Sequence, residues 1–362
     1  MIIPENKKAV VAMSGGVDSS VAAVLLKEQG YKVEGIFMRL GIAGDNESEK
    51  YARAVAKKIG IKFHAVNLSK EFRKEIISYF ISEYEKGRTP NPCVMCNKEI
   101  KFGILLDKAL EMGADHIATG HYVKKIKTKN LKLKTRYKLL KAKDKNKDQS
   151  YFLYTLTQKK LKHCLFPLGE YTKDEVREIA EEYKLGIYDK NETLKGKFQK
   201  ESQEICFIQD KYYGDFLRKY LKLVHGKIVD ENNNILGEHK GLPLYTIGQR
   251  RDIGIGGTGP YYVINLNRKK NQLVVSNNKN DKNLFSKELI AKKINWISGS
   301  VPKLPLGIKA KARYRMNEES AVVDKIKGKY IVKFSKPQRA ITSGQSVVFC
   351  KGSEILGGGV II

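Results

Sequence analysis

Two short stretches concentrate residue types that do chemistry. The first, Ser14-Gly15-Gly16-Val17-Asp18-Ser19-Ser20, follows an apolar run and opens a helical pattern. Glycines in such a turn let backbone N–H groups approach phosphate oxygens, and the helix N-terminus adds its positive dipole end. Pyrophosphate is the ligand expected here, with Asp18 a candidate for positioning Mg²⁺. The Gly-Lys-Ser/Thr ending of a Walker loop is absent, which argues against transfer of a γ-phosphate. A bare Gly-Gly pair at a strand-to-helix turn is commonly structural; the full hexad carries more.

The second stretch runs from Arg88 to Phe102, RTPNPCVMCNKEIKF, with Cys93 and Cys96 behind two prolines. A cysteine at a helix start, flanked by Lys98 and Lys101, is expected to favour its thiolate, through the dipole and nearby positive charge. A structural zinc knuckle fits poorly, because no second Cys-x-x-Cys completes four ligands. Five cysteines in 362 residues are too few and too scattered for a disulfide scaffold, so reduced thiols and a cytoplasmic location are expected. Cys164 in LKHCLF and Cys350 in VVFC read as core residues.

The elements that must position these residues alternate in type. From Ala9 to about Ala118, short apolar runs (KAVVAM, YKVEGIFM, IKFHAVNL, DHIATG) are separated by amphipathic stretches, with helices expected around 70–85 and 98–112. This predicts a doubly wound parallel sheet. VKKIKTKN and LKLKTRYKLLKA, between Tyr122 and Ala142, read as a hairpin with a solvated lysine face, and helical patterns resume at 149–163 and 172–184. Beyond 213 the character changes: HGKIVDENNNILGEHKG reads as a hairpin and TIGQRRDIGIGGTGPYYVI as a glycine-rich loop bordered by a strand. From about 285 short alternating segments predict a compact β-barrel or sandwich. The expected domains are therefore 1–212, 213–284 and 285–362.

Bulk composition restricts the partners. A formal charge of +29 favours a polyanion with closely spaced phosphates, although a general lysine and asparagine bias would produce it too. No apolar run approaches the length of a membrane span, and the N-terminal residues lack the layout of a signal peptide.

SGGVDS resembles the signature loop of the ATP pyrophosphatases, whose domain is of the adenine nucleotide alpha hydrolase-like type and which attach AMP to a carbonyl oxygen with release of pyrophosphate. With GRTPNPxxxCNKEIKF, SxxICFI, ATGHY (118–122), KDQSYFLYTL (147–156), GEHKGLPLYTIGQRRDIGIGG (237–257), ARYR (312–315) and SGQSVVF (343–349) in order, nearly the whole chain resembles the bacterial tRNA-specific 2-thiouridylases, the MnmA family. The resemblance implies ATP against Ala12, Met13, Ser14, Gly15, Gly16, Val17, Asp18, Ser19, Met38 and Gly120. It implies a target uridine facing Asn91, Pro92 and position 93, and tRNA contacts from His121, Lys147, Asp148, Gln149, Arg313, Tyr314 and Gln345. Cys206 matches the persulfide carrier and Cys96 the nucleophile, and the two are expected to form a transient disulfide. The implied partners are tRNAs for Lys, Glu and Gln and a cysteine desulfurase or sulfur-relay protein.

One departure matters. The bacterial pattern has Asp where this chain has Cys93, which leaves the acid/base step without an assigned group. Cys93, Cys96 and Cys206 resemble instead the three-cysteine set by which other tRNA thiolation enzymes hold a [4Fe-4S] cluster with one open iron, so cluster and persulfide routes are both carried forward. Two rival functions remain: an amidoligase of the same superfamily, which needs no paired cysteines, and a non-enzymatic RNA-binding protein, which leaves the SGGVDS turn unexplained.

Overall fold

The computed structural model describes residues 7–129, 135–185, 205–208, 213–256 and 259–362. The stretch around 195–210, whose polar GKFQKESQEI sequence lacks an apolar period and reads as a catalytic loop, lies largely outside these residues. Strands β1 (Lys8–Ala12), β2 (Lys32–Arg39), β3 (Lys62–Asn67), β4 (His116–Ala118), β5 (Lys124–Lys129), β6 (Thr135–Leu140) and β7 (Cys164–Leu165) come from the first half of the chain. Five of them form one parallel sheet in the order β3-β2-β1-β4-β7.

The apolar runs are continuous because both faces of this sheet are covered. Val10, Ile36 and Ile117 point to one side, where Phe72, Ile76, Phe80, Ile100 and Leu105 of the helical segments between 69 and 111 pack on them. Ala9, Val11 and Phe37 point to the other, against α1 (Val17–Glu28), α2 (Asp45–Lys58) and the helix Lys173–Glu182. The doubly wound expectation is met.

The central region is a four-stranded sheet in which Gly226–Val229 pairs with Ile235–His239, the expected hairpin, and also with Gln272–Ser276, which in turn pairs with Tyr262–Asn267. At the C-terminus, Phe285–Trp296, Lys329–Arg339, Glu319–Ile326, Leu306–Lys311, Ser346–Lys351 and Glu354–Ile361 follow one another edge to edge, and the last pairs back with the first. That closes a barrel, with Trp296, Val323, Val332, Val347 and Phe349 inside.

The lysine-rich hairpin β5–β6 differs from its expected solvated role. β6 pairs with Glu354–Ile361, so the hairpin extends the barrel's sheet. Lys125 is drawn inward, its ammonium donating to the carbonyls of Leu161 (3.2 Å) and Cys164 (2.5 Å), and burial pulls its pKa down to about 8. Among the described residues no helix is long and apolar enough to cross a membrane.

Candidate active site

The Ser14–Ser20 turn sits at the carboxyl end of β1, where open α/β sheets bind ligands. Gly15 has φ +81°, and a Cβ there would stand 2.5 Å from the Ser48 carbonyl oxygen; only glycine serves. The turn is self-braced: the Ser14 N–H donates to Ser19 Oγ (3.0 Å), while the Ser19 and Ser20 hydroxyls donate to the Gly16 carbonyl (3.1 and 2.9 Å). Gly120 packs so closely that an added Cβ would lie 2.8 Å from Ser19 N and from the Asp18 carbonyl carbon. Ala12 ends β1, Met13 follows it, Val17 and Asp18 open α1, and Met38 is the last residue but one of the neighbouring β2.

Asp18 is held in a way the sequence did not announce. Its Oδ1 accepts from Tyr122 Oη and from Lys173 Nζ, each at 2.8 Å, and Lys173 is buried at the start of its helix. Opposite the turn, Glu49 of α2 bonds the Arg39 (2.6 and 2.8 Å) and Arg53 (2.9 Å) guanidinia, and the Arg39 hydrogen bonds lead in drawing its carboxyl down to about 2.

The thiol loop is built as a helix start. Asn91 caps it, Oδ1 accepting from Val94 N (3.4 Å), with Pro92 in the first turn. Cys93 is exposed and Cys96 half-buried. Their chemistry is the reverse of the expected soft thiolates. Protein atoms crowded around the sulfurs push Cys93 up and Cys96 up to about 11, with Lys101 opposing the shift in both. The short cap does not overcome desolvation. Lys98 instead pairs with Glu99.

Cys206 lies at an exposed turn in which Ile208 N donates to the Ile205 carbonyl (2.9 Å). The adjoining Phe207 anchors that turn: its ring meets Phe72, Phe80 and Phe216 at 5.8, 5.3 and 5.3 Å. Although the residue as a whole is exposed, protein atoms around the thiol desolvate it and drive Cys206 up to about 12, the charges of Cys96 and Cys93 add to the rise, and Lys101 opposes it. The three thiols therefore share one neighbourhood. All five cysteines are free, and among the described residues no three His, Cys, Asp or Glu side chains stand close enough to hold one metal ion. As arranged, the thiols do not fit a cluster.

The residues expected to touch tRNA form the joints around this loop. Gln345 Nε2 donates to the carbonyls of Thr89 (2.9 Å) and Pro90 (3.2 Å), and Thr89 N donates to the Ser343 carbonyl (2.9 Å), tying the loop to the barrel. Arg313 donates to the Ile247 carbonyl (3.1 Å) and to the Thr342 hydroxyl, and Tyr314 Oη to the Asp148 carbonyl (3.0 Å). Asp148 Oδ1 accepts from Ala142 N (3.0 Å), Gln149 exchanges bonds with the backbone of Tyr122, and Lys147 N donates to Asp144 (3.2 Å). His121 is buried against Phe102, with Nδ1 2.8 Å from Thr119 Oγ1, and burial holds its pKa well below the usual value. Phe207, Lys173 and Tyr122 had no sequence signal of their own, because their roles arise from contacts 104 to 155 residues away for the Asp18 pair and from the aromatic cluster for Phe207.

Three family profiles match in order: residues 7–210 the one described as tRNA methyl transferase HUP domain, 214–277 the tRNA methyl transferase PRC-barrel domain, and 286–361 the aminomethyltransferase beta-barrel domain. The chain is 45% identical to a protein of Thermoanaerobacter sp. (strain X514) named tRNA-specific 2-thiouridylase MnmA 2, over 98% of both chains. It is 44% identical to tRNA-specific 2-thiouridylase MnmA of Clostridioides difficile (strain 630), over 98% of both, and to that of Clostridium acetobutylicum, over 98% of this chain and 99% of the other. With that identity along its whole length, a braced pyrophosphate turn and three neighbouring thiols, the chain belongs to the tRNA-specific 2-thiouridylase (MnmA) family.

Proposed function

We propose that this protein is a cytoplasmic tRNA sulfurtransferase that uses ATP to convert the wobble uridine of tRNAs for Lys, Glu and Gln to 2-thiouridine, with AMP and pyrophosphate as products. The observation that carries the reading is the pairing of the Ser14–Ser20 turn with Cys93, Cys96 and Cys206 in one fold. A uridine carbonyl is a poor electrophile until its oxygen becomes a leaving group, and adenylation provides this.

ATP is taken at Ala12–Ser19, Met38 and Gly120, with backbone N–H groups of the turn on the pyrophosphate. Mg²⁺ is usually held by one or two carboxylates together with phosphates, and Asp18 is the carboxylate of the turn. Asn91, Pro92 and Cys93 orient the base, while Lys147, Asp148, Gln149, Arg313, Tyr314 and Gln345 face the tRNA; His121, buried against Phe102, supports the thiol segment instead. Uridine O2 attacks the α-phosphorus and expels pyrophosphate. A persulfide on Cys206, loaded by a cysteine desulfurase or relay protein, attacks C2 through its outer sulfur, and O2 departs with AMP. Cys96 then attacks Cys206 Sγ. The sulfur–sulfur bond breaks, its electron pair stays with the sulfur on C2, and a Cys96–Cys206 disulfide remains for an external thiol to reduce.

Because Cys96 and Cys206 both carry raised pKa values, the attacking thiol must lose its proton as the loop engages substrate. Cys96→Ser separates the steps: tRNA-dependent pyrophosphate release is expected to survive while 2-thiouridine is lost. Loss of both together would contradict the assignment of Cys96 to sulfur transfer. Because the thiols as arranged do not fit a cluster, the persulfide route is the one proposed. Four irons per chain after anaerobic reconstitution, needed for thiolation, would replace the persulfide route.

A further inference from the structure

The segment Thr246–Gly256 carries one glycine and two arginines in its first six residues. It is rigidly made. Gln249 N donates to the Thr246 carbonyl (3.0 Å), Thr246 N to Gln249 Oε1 (3.0 Å), Gly248 N to the Val263 carbonyl (2.7 Å), and Val263 N, in the strand Tyr262–Asn267, back to the Gln249 carbonyl (3.0 Å). Gly248 has φ +82°, and a Cβ there would stand 2.5 Å from Ala340 Cβ, so the turn is pressed onto the barrel.

This turn presents two consecutive exposed arginines to two adjoining hollows. Arg251 lines one of about 360 Å³, which reaches Thr89 at the base of the thiol loop and is also bordered by Arg313 and Asp252. Arg250 lines the other, of about 480 Å³, with Lys279, Arg339, Tyr262 and Phe285. Gly248 borders both. Among the described residues none of Arg250, Lys279 or Arg339 has a carboxylate partner, which leaves three cations around one basin. The Arg339 guanidinium lies 5.1 Å from the centre of the Tyr262 ring, and Phe285 is 36% exposed at the rim.

We infer that this basin is a second RNA-binding point, which takes nucleotides flanking the target uridine on the same tRNA; the inference rests on the function proposed above. Cations without carboxylates match a phosphodiester chain, and the exposed Phe285 ring beside them, with half-buried Tyr262, matches unpaired bases, which stack with little regard to sequence. A free anion would make no use of the rings. The shared wall at Gly248 and the contact with Thr89 set the path from the thiol loop into the basin.

The test is equilibrium binding of undermodified tRNA to the full chain, followed by fluorescence anisotropy across a salt series, with melting curves to confirm that each variant is folded. For Arg250→Glu/Arg339→Glu we expect affinity to fall by about tenfold or more and the salt slope by about two. Phe285→Ala should weaken binding by roughly fivefold while leaving the slope unchanged, since stacking releases no counterions. Lys327→Glu, the same charge reversal on an exposed barrel turn, controls for net charge and should change neither appreciably. If the double reversal fails to fold, Arg250→Gln/Arg339→Gln takes its place. Unchanged tRNA affinity and slope in the folded basin variant would overturn the inference, assign the basin to another class of partner such as an acidic peptide, and leave the functional proposal standing. A wild-type chain that binds no tRNA would overturn both.

Discussion

Lys101 acts on all three thiols, opposing in each the rise that burial imposes. Lys101→Met should therefore push the thiols further from ionisation and slow 2-thiouridine formation at pH 7.5 by about three- to tenfold, without slowing pyrophosphate release. The sign with pH follows: with Cys96 near 11, thiolate is scarce at neutral pH, so alkylation of Cys96 should keep accelerating above pH 9, where an ordinary thiol levels off. A plateau near pH 9 would contradict the buried setting. Phe207 acts through position alone. Phe207→Ala removes the ring that seats Cys206 among Phe72, Phe80 and Phe216, and thiolation should fall with ATP KM unchanged; Phe207→Leu should recover part of the rate, which a merely unfolded chain would not allow. The sequence displayed the Cys-x-x-Cys pair and its lysines plainly. It could not display their ionisation, because burial depends on residues brought in from elsewhere in the chain.

Among the elements, the loop 88–92 depends most on its neighbours. Thr89 and Pro90 present their carbonyls to Gln345, and Thr89 binds the backbone at Ser343 and the Thr246 hydroxyl (3.0 Å). Gln345→Ala leaves these carbonyls without their donor, at a cost of about 1–3 kcal/mol if they stay dry. The loop that carries Asn91 and Cys93 would lose its seat, so kcat should drop by roughly tenfold while the ATP KM holds. A rise in tRNA KM alone would assign Gln345 only to RNA contact. The strands and the pyrophosphate turn were legible because periodicity and Gly15 are local signals. The β5–β6 hairpin was legible as a hairpin, but its pairing with Glu354–Ile361 was not, since edge partners 214 residues apart leave no local mark.

Across the whole molecule the parts interlock around the thiol loop. The parallel sheet supplies the nucleotide turn, the central sheet and its arginine turn border Thr89, and the closed barrel clamps the loop through Gln345. The charge of +29 suits a polyanionic partner, and it was legible as such from composition, whereas the basin of Arg250, Lys279 and Arg339 required three distant segments to meet. The central claim is that ATP cleavage and sulfur transfer are two halves of one reaction on the same uridine. The most direct measurement is a single turnover: protein loaded with persulfide by a desulfurase, freed of donor, then given ATP, Mg²⁺ and undermodified tRNA, with nucleosides read by mass spectrometry and AMP counted. The account predicts one AMP released for each 2-thiouridine formed, and neither product from Cys206→Ser loaded in the same way beyond slow abortive hydrolysis. Equal 2-thiouridine without AMP, or AMP released with persulfide-loaded enzyme while the wobble uridine stays unchanged, would contradict it.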